Sequence, residues 1–399
     1  MFWPLQENVI SNAELDLLVH FIRETKRFTQ FTKVRAFEDA YSEWMGCKHS
    51  VFVNSGSSAN LLMIHAAAER GGWSPGDEII VPALTWPTTV TPVMQAGFQP
   101  VFVDANLDDF SFDYDQLAAK ITGKTRAIFL VHVLGFPADV KRVKQIIGAR
   151  DIVLLEDTCE TQGGTIDGVK VGNFGLGSSF SFYWGHHMTT VEGGMVCTSD
   201  EDFYKLAVLK RSHGLARELP ERYHKTIREA NPDIDFQFLF LTDGFNFRNT
   251  EFNAVLGLSQ LPKLDGFIKI RHRSHTRFLE ICRQYPDDLV TLDHPGKSPF
   301  VLPFVLKDAE KKKPFQTLIR KNGIESRPLV SGNLLRQPFL KQYYVPGQFN
   351  NADFLHRNAF YIGNNQFVND ERLDVLASLM QKFFSSPAAG RRRGSGNPL

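Results

Sequence analysis

The residues best suited to chemistry lie between positions 54 and 187. Asn54-Ser-Gly-Ser-Ser-Ala-Asn60 joins an apolar run to a helix-like one. Free backbone N–H groups at a helix start, beside small hydroxyls, suit a phosphate. Taken alone, an ordinary serine-rich cap explains the segment better, and no GxxxxGK[ST] loop occurs here. Asp157 closes the run DIVLLED, where a carboxylate at the end of a buried parallel strand would face the usual ligand crevice. A structural aspartate fits that position equally well. His186 and His187 follow about one strand later, adjacent and therefore pointing differently, so they make a poor chelating pair. By itself a packed or surface histidine is the commoner reading. Trp86, in LTWPTT, can stack on a flat ring or sit in the core.

The elements that must position these groups alternate from about residue 50 to 215. HSVFVNSG, DEIIVPA, QPVFVD, RAIFLVHV, DIVLLED, SSFSFY and GGMVCTS read as strands, most of them apolar on both faces and so covered on two sides. SANLLMIHAAAER, PTTVTPVMQAG and PADVKRVKQIIG read as helices between them. The order predicts an α/β domain with a mixed, mostly parallel sheet. The last two strand runs lie too close for a helical crossover, so an antiparallel pair is expected there. Residues 1–30 read as a helical lead-in whose helix Asn12 can cap. Residues 31–250 read as the large domain, and 251–384 as a smaller α+β domain opening on a long helix-like segment. The end, 385–399, small, polar and basic, reads as a disordered tail.

Composition limits the function classes. The chain has 399 residues, 43% of them hydrophobic, enough for two domains and a sizeable core. Lys+Arg is 45 and Asp+Glu is 44, so no basic excess points to nucleic acid. No run of about 18 apolar residues predicts a membrane span, and the first residues do not read as a signal peptide. Cys47, Cys159, Cys197 and Cys282 are scattered and form no CxxC pair. They predict free thiols in a reducing cytoplasm, with neither a disulfide framework nor a metal or iron–sulfur site.

Taken together, a phosphate loop, a flat aromatic, an acid at a strand end and a basic residue one strand on describe a pyridoxal phosphate site. Their order resembles the sugar aminotransferases of fold type I, the DegT/DnrJ/EryC1/StrS family, over about residues 5 to 383. The motifs that carry the resemblance are GSSAN, HVLGFPAD, EDTCE, SFSFYWGHH followed by EGG, and GFNFR. It implies that Gly56, Ser57 and Ser58, with Ser181, bind the cofactor phosphate and that Trp86 stacks on the pyridine ring. Asp157 would pair with the ring nitrogen, keeping it protonated and the ring an electron sink. Glu160 would also bind the cofactor, and Asn246 would reach the phosphate of the other subunit in a homodimer.

The departure from the family lies at His186, where the aminotransferases carry the lysine that binds the cofactor covalently. Imidazole cannot form that stable imine. A subgroup with this replacement, the C-3 dehydratases of nucleotide-linked 4-keto-6-deoxy sugars, resembles the chain further. Within it, the type without an iron–sulfur cluster, acting on GDP-4-keto-6-deoxymannose in O-antigen sugar synthesis, fits the scattered cysteines. GDEIIVPA, SHGLARELP, GIESRPLVSGN, YIGNNQ and Glu160 agree with it. The resemblance implies non-covalent pyridoxamine phosphate, with His186 moving the proton at its C4′ carbon. L-Glutamate would restore the amine form. His213, Arg217, Arg248 and Arg327 are candidates for the diphosphate or the glutamate carboxylates. Three alternatives stay open at this point: an aminotransferase using another lysine such as Lys170, a relative that has lost catalysis, and a nicotinamide-dependent oxidoreductase.

Overall fold

The computed structural model describes residues 2–385. The predicted tail, apart from Ser385, lies outside the described residues. The large sheet takes its strands from the expected runs: β1 (His49–Val53), β2 (Glu78–Pro82), β3 (Gln99–Val103), β4 (Thr125–Val131) and β5 (Val153–Asp157). A short hairpin, β6 (Thr165–Ile166) and β7 (Val169–Lys170), stands apart. β8 (Gly177–Ser181) and β9 (Gly194–Thr198) complete the sheet, whose order is β1-β9-β8-β5-β4-β2-β3. β9 runs antiparallel to both neighbours, and the other adjacent pairs are parallel, as the short β8–β9 connection requires.

Alternation along the strands explains why they are apolar throughout. Ile79 and Val81 face helices Gly56–Gly71, Pro87–Gln95 and Glu201–Arg211, whereas Ile80 faces helices Tyr114–Lys120 and Val140–Ile147. Burying each such side chain contributes roughly 1.5–3 kcal/mol. The parallel strands therefore end together at one edge, and the segments leaving β1, β2, β5 and β8 carry Gly56, Trp86, Cys159 and Tyr183 to that edge.

A second sheet holds β10 (Leu289–Val290), β11 (Val301–Leu306), β12 (Ser326–Pro328) and β13 (Ala359–Gly363), all antiparallel, in the order β10-β11-β13-β12. Chain order and core do not coincide at residue 250. The predicted long helix divides at Pro262 into Glu251–Gln260 and Leu264–Cys282. Its first part packs on helix Thr32–Met45, beside the large sheet, where a Cβ on Gly257 would come within 2.6 Å of the Phe37 ring. Trp3, from the lead-in, is buried in the small sheet's core and donates its Nε1–H to the Gly363 carbonyl at 3.1 Å. Helix Asn12–Glu24 is capped one residue earlier than expected. Ser11 Oγ accepts from the Glu14 amide while the Glu14 carboxylate accepts from the Ser11 amide at 2.7 Å, a capping box that leaves Asn12 inside the helix.

Candidate active site

The strand ends and the small sheet enclose a cavity of about 510 Å³. Its floor is built from the first turn of helix Gly56–Gly71. Ser55 caps that helix, its Oγ accepting from the Ser58 amide at 3.0 Å. The Gly56 and Ser57 amides start the helix and have no carbonyl of their own helix to bond. Both residues line the cavity together with Ser55 and Ser181, whereas Ser58 turns its hydroxyl to Ser55 at 3.0 Å. Glycine is required at 56 because a Cβ there would lie 2.6 Å from the Ser181 Cβ. The cradle therefore suits an anion such as phosphate.

Asp157 ends β5 and is 6% exposed. Asn60 Nδ2 and Thr89 Oγ1 donate to its Oδ2 at 2.8 and 2.9 Å, and the Cys159 amide donates to Oδ1 at 3.1 Å. All three donors are neutral, so none of them is a counter-charge to this carboxylate. Trp86, at the start of helix Pro87–Gln95, lines the same cavity and is largely exposed to it.

His186 lines the same cavity, on the loop after β8. A carbonyl oxygen can only accept, so the 2.7 Å contact to Cys159 O fixes a proton on Nδ1. Burial is the largest influence on the ring and pushes its pKa down to about 4. The Cys159 contact and Asp157 act the other way, and Arg271 adds to the lowering. At neutral pH the imidazole is uncharged, with a lone pair on Nε2. His187 is fully buried and bonds Ser298 instead, so the two adjacent histidines divide into a cavity group and an anchor. Glu160 also lines the cavity, its Oε2 accepting from the Leu134 amide at 2.9 Å. Burial raises its carboxyl to about 7, the amide contact opposes this, and Asp157 raises it further. That group can hold or release a proton near neutrality.

Arg327 on β12 lines the cavity beside its β13 register partner Tyr361. The other predicted partners for anions gather elsewhere. Arg248 donates to the exposed Asn246 at 3.0 Å and lies 3.4 Å from His213 Nε2. Arg217 and Arg248 line a second cavity of about 410 Å³ with Arg27, Arg35 and Arg228. One chain thus unites His186, Asp157, Glu160, Trp86, Gly56, Ser57, Ser181 and Arg327, and leaves Asn246, His213, Arg217 and Arg248 outside. Sequence reasoning missed Ser55, Asn60 and Thr89. Asn60 was legible as the last residue of the phosphate-loop motif, but Thr89 carried no signal. Lys170 is held in the hairpin, its ammonium donating to the Trp44 carbonyl, and none of the cavity's lining residues is a lysine.

A mostly parallel sheet with a phosphate cradle, an acid at a strand end and a smaller C-terminal sheet define the fold of pyridoxal-phosphate enzymes of type I. The model of the DegT/DnrJ/EryC1/StrS aminotransferase family matches residues 10–381, and the chain belongs to that family. It is 34% identical over 388 residues to the GDP-4-keto-6-deoxy-D-mannose 3-dehydratase of Yersinia pseudotuberculosis, covering 95% of this chain and 98% of that protein. To the enzyme of the same name from Escherichia coli O55:H7 it is 34% identical over 386 residues, covering 95% and 99%. Among solved structures, it is similar to a histidine-to-asparagine mutant of GDP-4-keto-6-deoxymannose-3-dehydratase with bound GDP-perosamine. The TM-score there is 0.88 and the identity 34%, covering 95% of this chain and all of that one. A structure of the same-named enzyme with a trapped PLP-glutamate geminal diamine gives a TM-score of 0.86 at 32% identity, covering 94% and 99%. The chain is accordingly a pyridoxal-phosphate-dependent enzyme. No described helix is long and apolar enough to cross a membrane.

Proposed function

We infer that this chain removes the C-3 hydroxyl of a nucleotide-linked 4-keto-6-deoxy sugar, GDP-4-keto-6-deoxymannose, at the expense of L-glutamate. The observation that carries this reading is His186, which presents a free Nε2 to a cavity lined by no lysine. The balance is sugar plus glutamate giving 3-deoxy ketone, 2-oxoglutarate and ammonia. Pyridoxamine phosphate, when bound, supplies the amine that engages the C-4 ketone and the electron sink that lets the C-3 hydroxyl leave.

The protein's own groups do the rest. The Gly56 and Ser57 amides and the Ser181 hydroxyl hold the phosphate. The Trp86 ring stacks on the pyridine, and Asp157 faces its nitrogen. His186 Nε2 takes the proton at the C4′ carbon and, once protonated, gives one to the departing hydroxyl. Glu160 contacts the cofactor as a second group able to carry a proton near pH 7. Arg327 pairs with a glutamate carboxylate.

A second copy completes the site. Asn246, His213, Arg217 and Arg248 lie outside the cavity of their own chain, on a surface with exposed Phe238 and Phe240. In a homodimer they serve the neighbour's phosphate and the sugar diphosphate, to which guanidinium forks are suited. The four free cysteines support a cytoplasmic setting. The test is product analysis by mass spectrometry with glutamate and GDP-, CDP-, dTDP- and UDP-linked 4-keto-6-deoxy sugars. A 3-deoxy ketone from the GDP sugar is expected; a 4-amino sugar alone would refute the reading.

A further inference from the structure

Arg271, on helix Leu264–Cys282, lies behind the cavity and is 1% exposed. It has no carboxylate partner among the described residues, and burial pushes its guanidinium down to about 9. A buried cation without a counter-charge is costly, and an apolar side chain of similar volume would often serve stability as well. What Arg271 gains instead is carbonyl oxygens. Its Nη2 donates to His186 O at 3.1 Å, and its Nη1 donates to Phe300 O at 2.9 Å and to Asn364 O. Asn364 answers through Nδ2, donating to Arg271 O and Pro299 O, both at 3.2 Å.

The three carbonyls belong to three separate segments: the loop carrying His186, the approach to β11 and the turn after β13. Phe300 also lies against the His186 imidazole, ring centroids 5.0 Å apart. One guanidinium therefore fixes both the backbone of His186 and the ring on which its imidazole leans. The geometry points to Arg271 as a positioning residue for the dehydration, reaching from the small-domain side to hold His186 Nε2 toward the cavity. The inference rests on the proposed role of His186 as proton carrier. An ammonium is a point charge and cannot hold three carbonyls at fixed angles as a planar fork does.

The test uses the full chain labelled with ¹⁵N-histidine, as Arg271→Lys and Arg271→Gln. Without added cofactor, NMR reads the His186 Nδ1–H bonded to Cys159 O. His132 serves as the internal record of the fold, because its Nδ1 accepts from the Ala138 amide and its Nε2–H therefore donates to Glu156 at 3.0 Å. Both variants are expected to lose or shift the His186 signal and keep that of His132. With pyridoxal phosphate added, the half-reaction with Cα-deuterated glutamate should slow about tenfold to a hundredfold. Its isotope effect should be undiminished, glutamate half-saturation should stay within about twofold, and lysine should give no rescue. An unchanged His186 signal in either variant, or a wild-type rate in Arg271→Lys, overturns the inference. Loss of the His132 signal in both variants does so too, marking Arg271 as a residue of general stability. If the wild-type protein leaves glutamate untouched, the function proposed above fails and the NMR arm alone decides on Arg271.

Discussion

His186 donates its Nδ1–H to the carbonyl of Cys159, two residues beyond Asp157, at 2.7 Å. The His186 imidazole and the Asp157 carboxylate, both in the cavity lining, are thereby tied to one turn of backbone. The tautomer of the imidazole and its closeness to the acid follow from that turn.

Lysine is absent from the cavity lining, so the cofactor should stay unattached. Borohydride treatment of the loaded wild-type protein should leave its mass unchanged, whereas His186→Lys should gain the cofactor's mass. A cofactor adduct on any lysine of the wild type would contradict the site. His186→Asn should bind cofactor and carry out neither half-reaction.

Asp157→Asn keeps the shape and removes the charge. An adjacent opposite charge typically moves a pKa by about 1–3 units, so the half-reaction with glutamate should slow roughly tenfold to a thousandfold. Stopped-flow absorbance measures it; an unchanged rate would make Asp157 a structural residue.

Glu160 and His186 predict opposite dependences of apo-protein stability on pH. Glu160 is raised from 4.5 to about 7, so between those values the folded state binds more protons and stability falls as pH rises. His186 is lowered from 6.5 to about 4, so the unfolded state binds more protons and stability climbs between pH 4 and 6.5. Glu160→Gln removes only the first effect. Its stability relative to wild type should therefore improve from pH 5 to 8, by up to about 3 kcal/mol. Urea unfolding across that range reads the difference, and a flat difference would show that Glu160 is not held protonated.

Gly56→Ala places a methyl where the Ser181 Cβ lies 2.6 Å away. The protein should lose about 1–3 kcal/mol of stability and bind pyridoxal phosphate about tenfold or more weakly, since 1.4 kcal/mol of lost contact is tenfold. Absorbance titration checks this. Wild-type affinity would mean that the phosphate sits elsewhere.

Mixed dimers test the shared site. Asn246→Ala and His186→Asn should each be inactive, and exchanging their subunits should restore about a quarter of wild-type activity, one sound site in half of the dimers. Exchange seen by native mass spectrometry without recovered turnover would argue against Asn246 serving the neighbour.

Much of this was legible in the sequence because it rests on local pattern. The doubly apolar runs gave the covered parallel strands, the short β8–β9 link gave the antiparallel pair, and the family motifs gave His186 and Asp157. What was not legible depends on contacts between distant segments. Thr89 reaches Asp157 from 68 positions away, and Arg271 reaches His186 from 85, with no motif to announce either. Ser55 and Ser58 look alike in sequence; only the fold decides that Ser55 caps the helix and lines the cavity while Ser58 does not. Helix Glu251–Gln260 reads as the start of a new domain until Gly257 is seen admitting the Phe37 ring.

Asp157 is wrapped by an amide side chain, a hydroxyl and a backbone N–H, none of which carries charge. No cationic side chain is among its hydrogen-bond partners in the described residues. A protonated pyridine ring would complete an ion pair that the fold leaves half-made, so tight retention of a cofactor without a covalent tether becomes a matter of electrical neutrality. It also makes the cofactor a ligand of the folded state alone: a cell short of vitamin B6 would hold this protein in a less stable form, more readily unfolded and cleared.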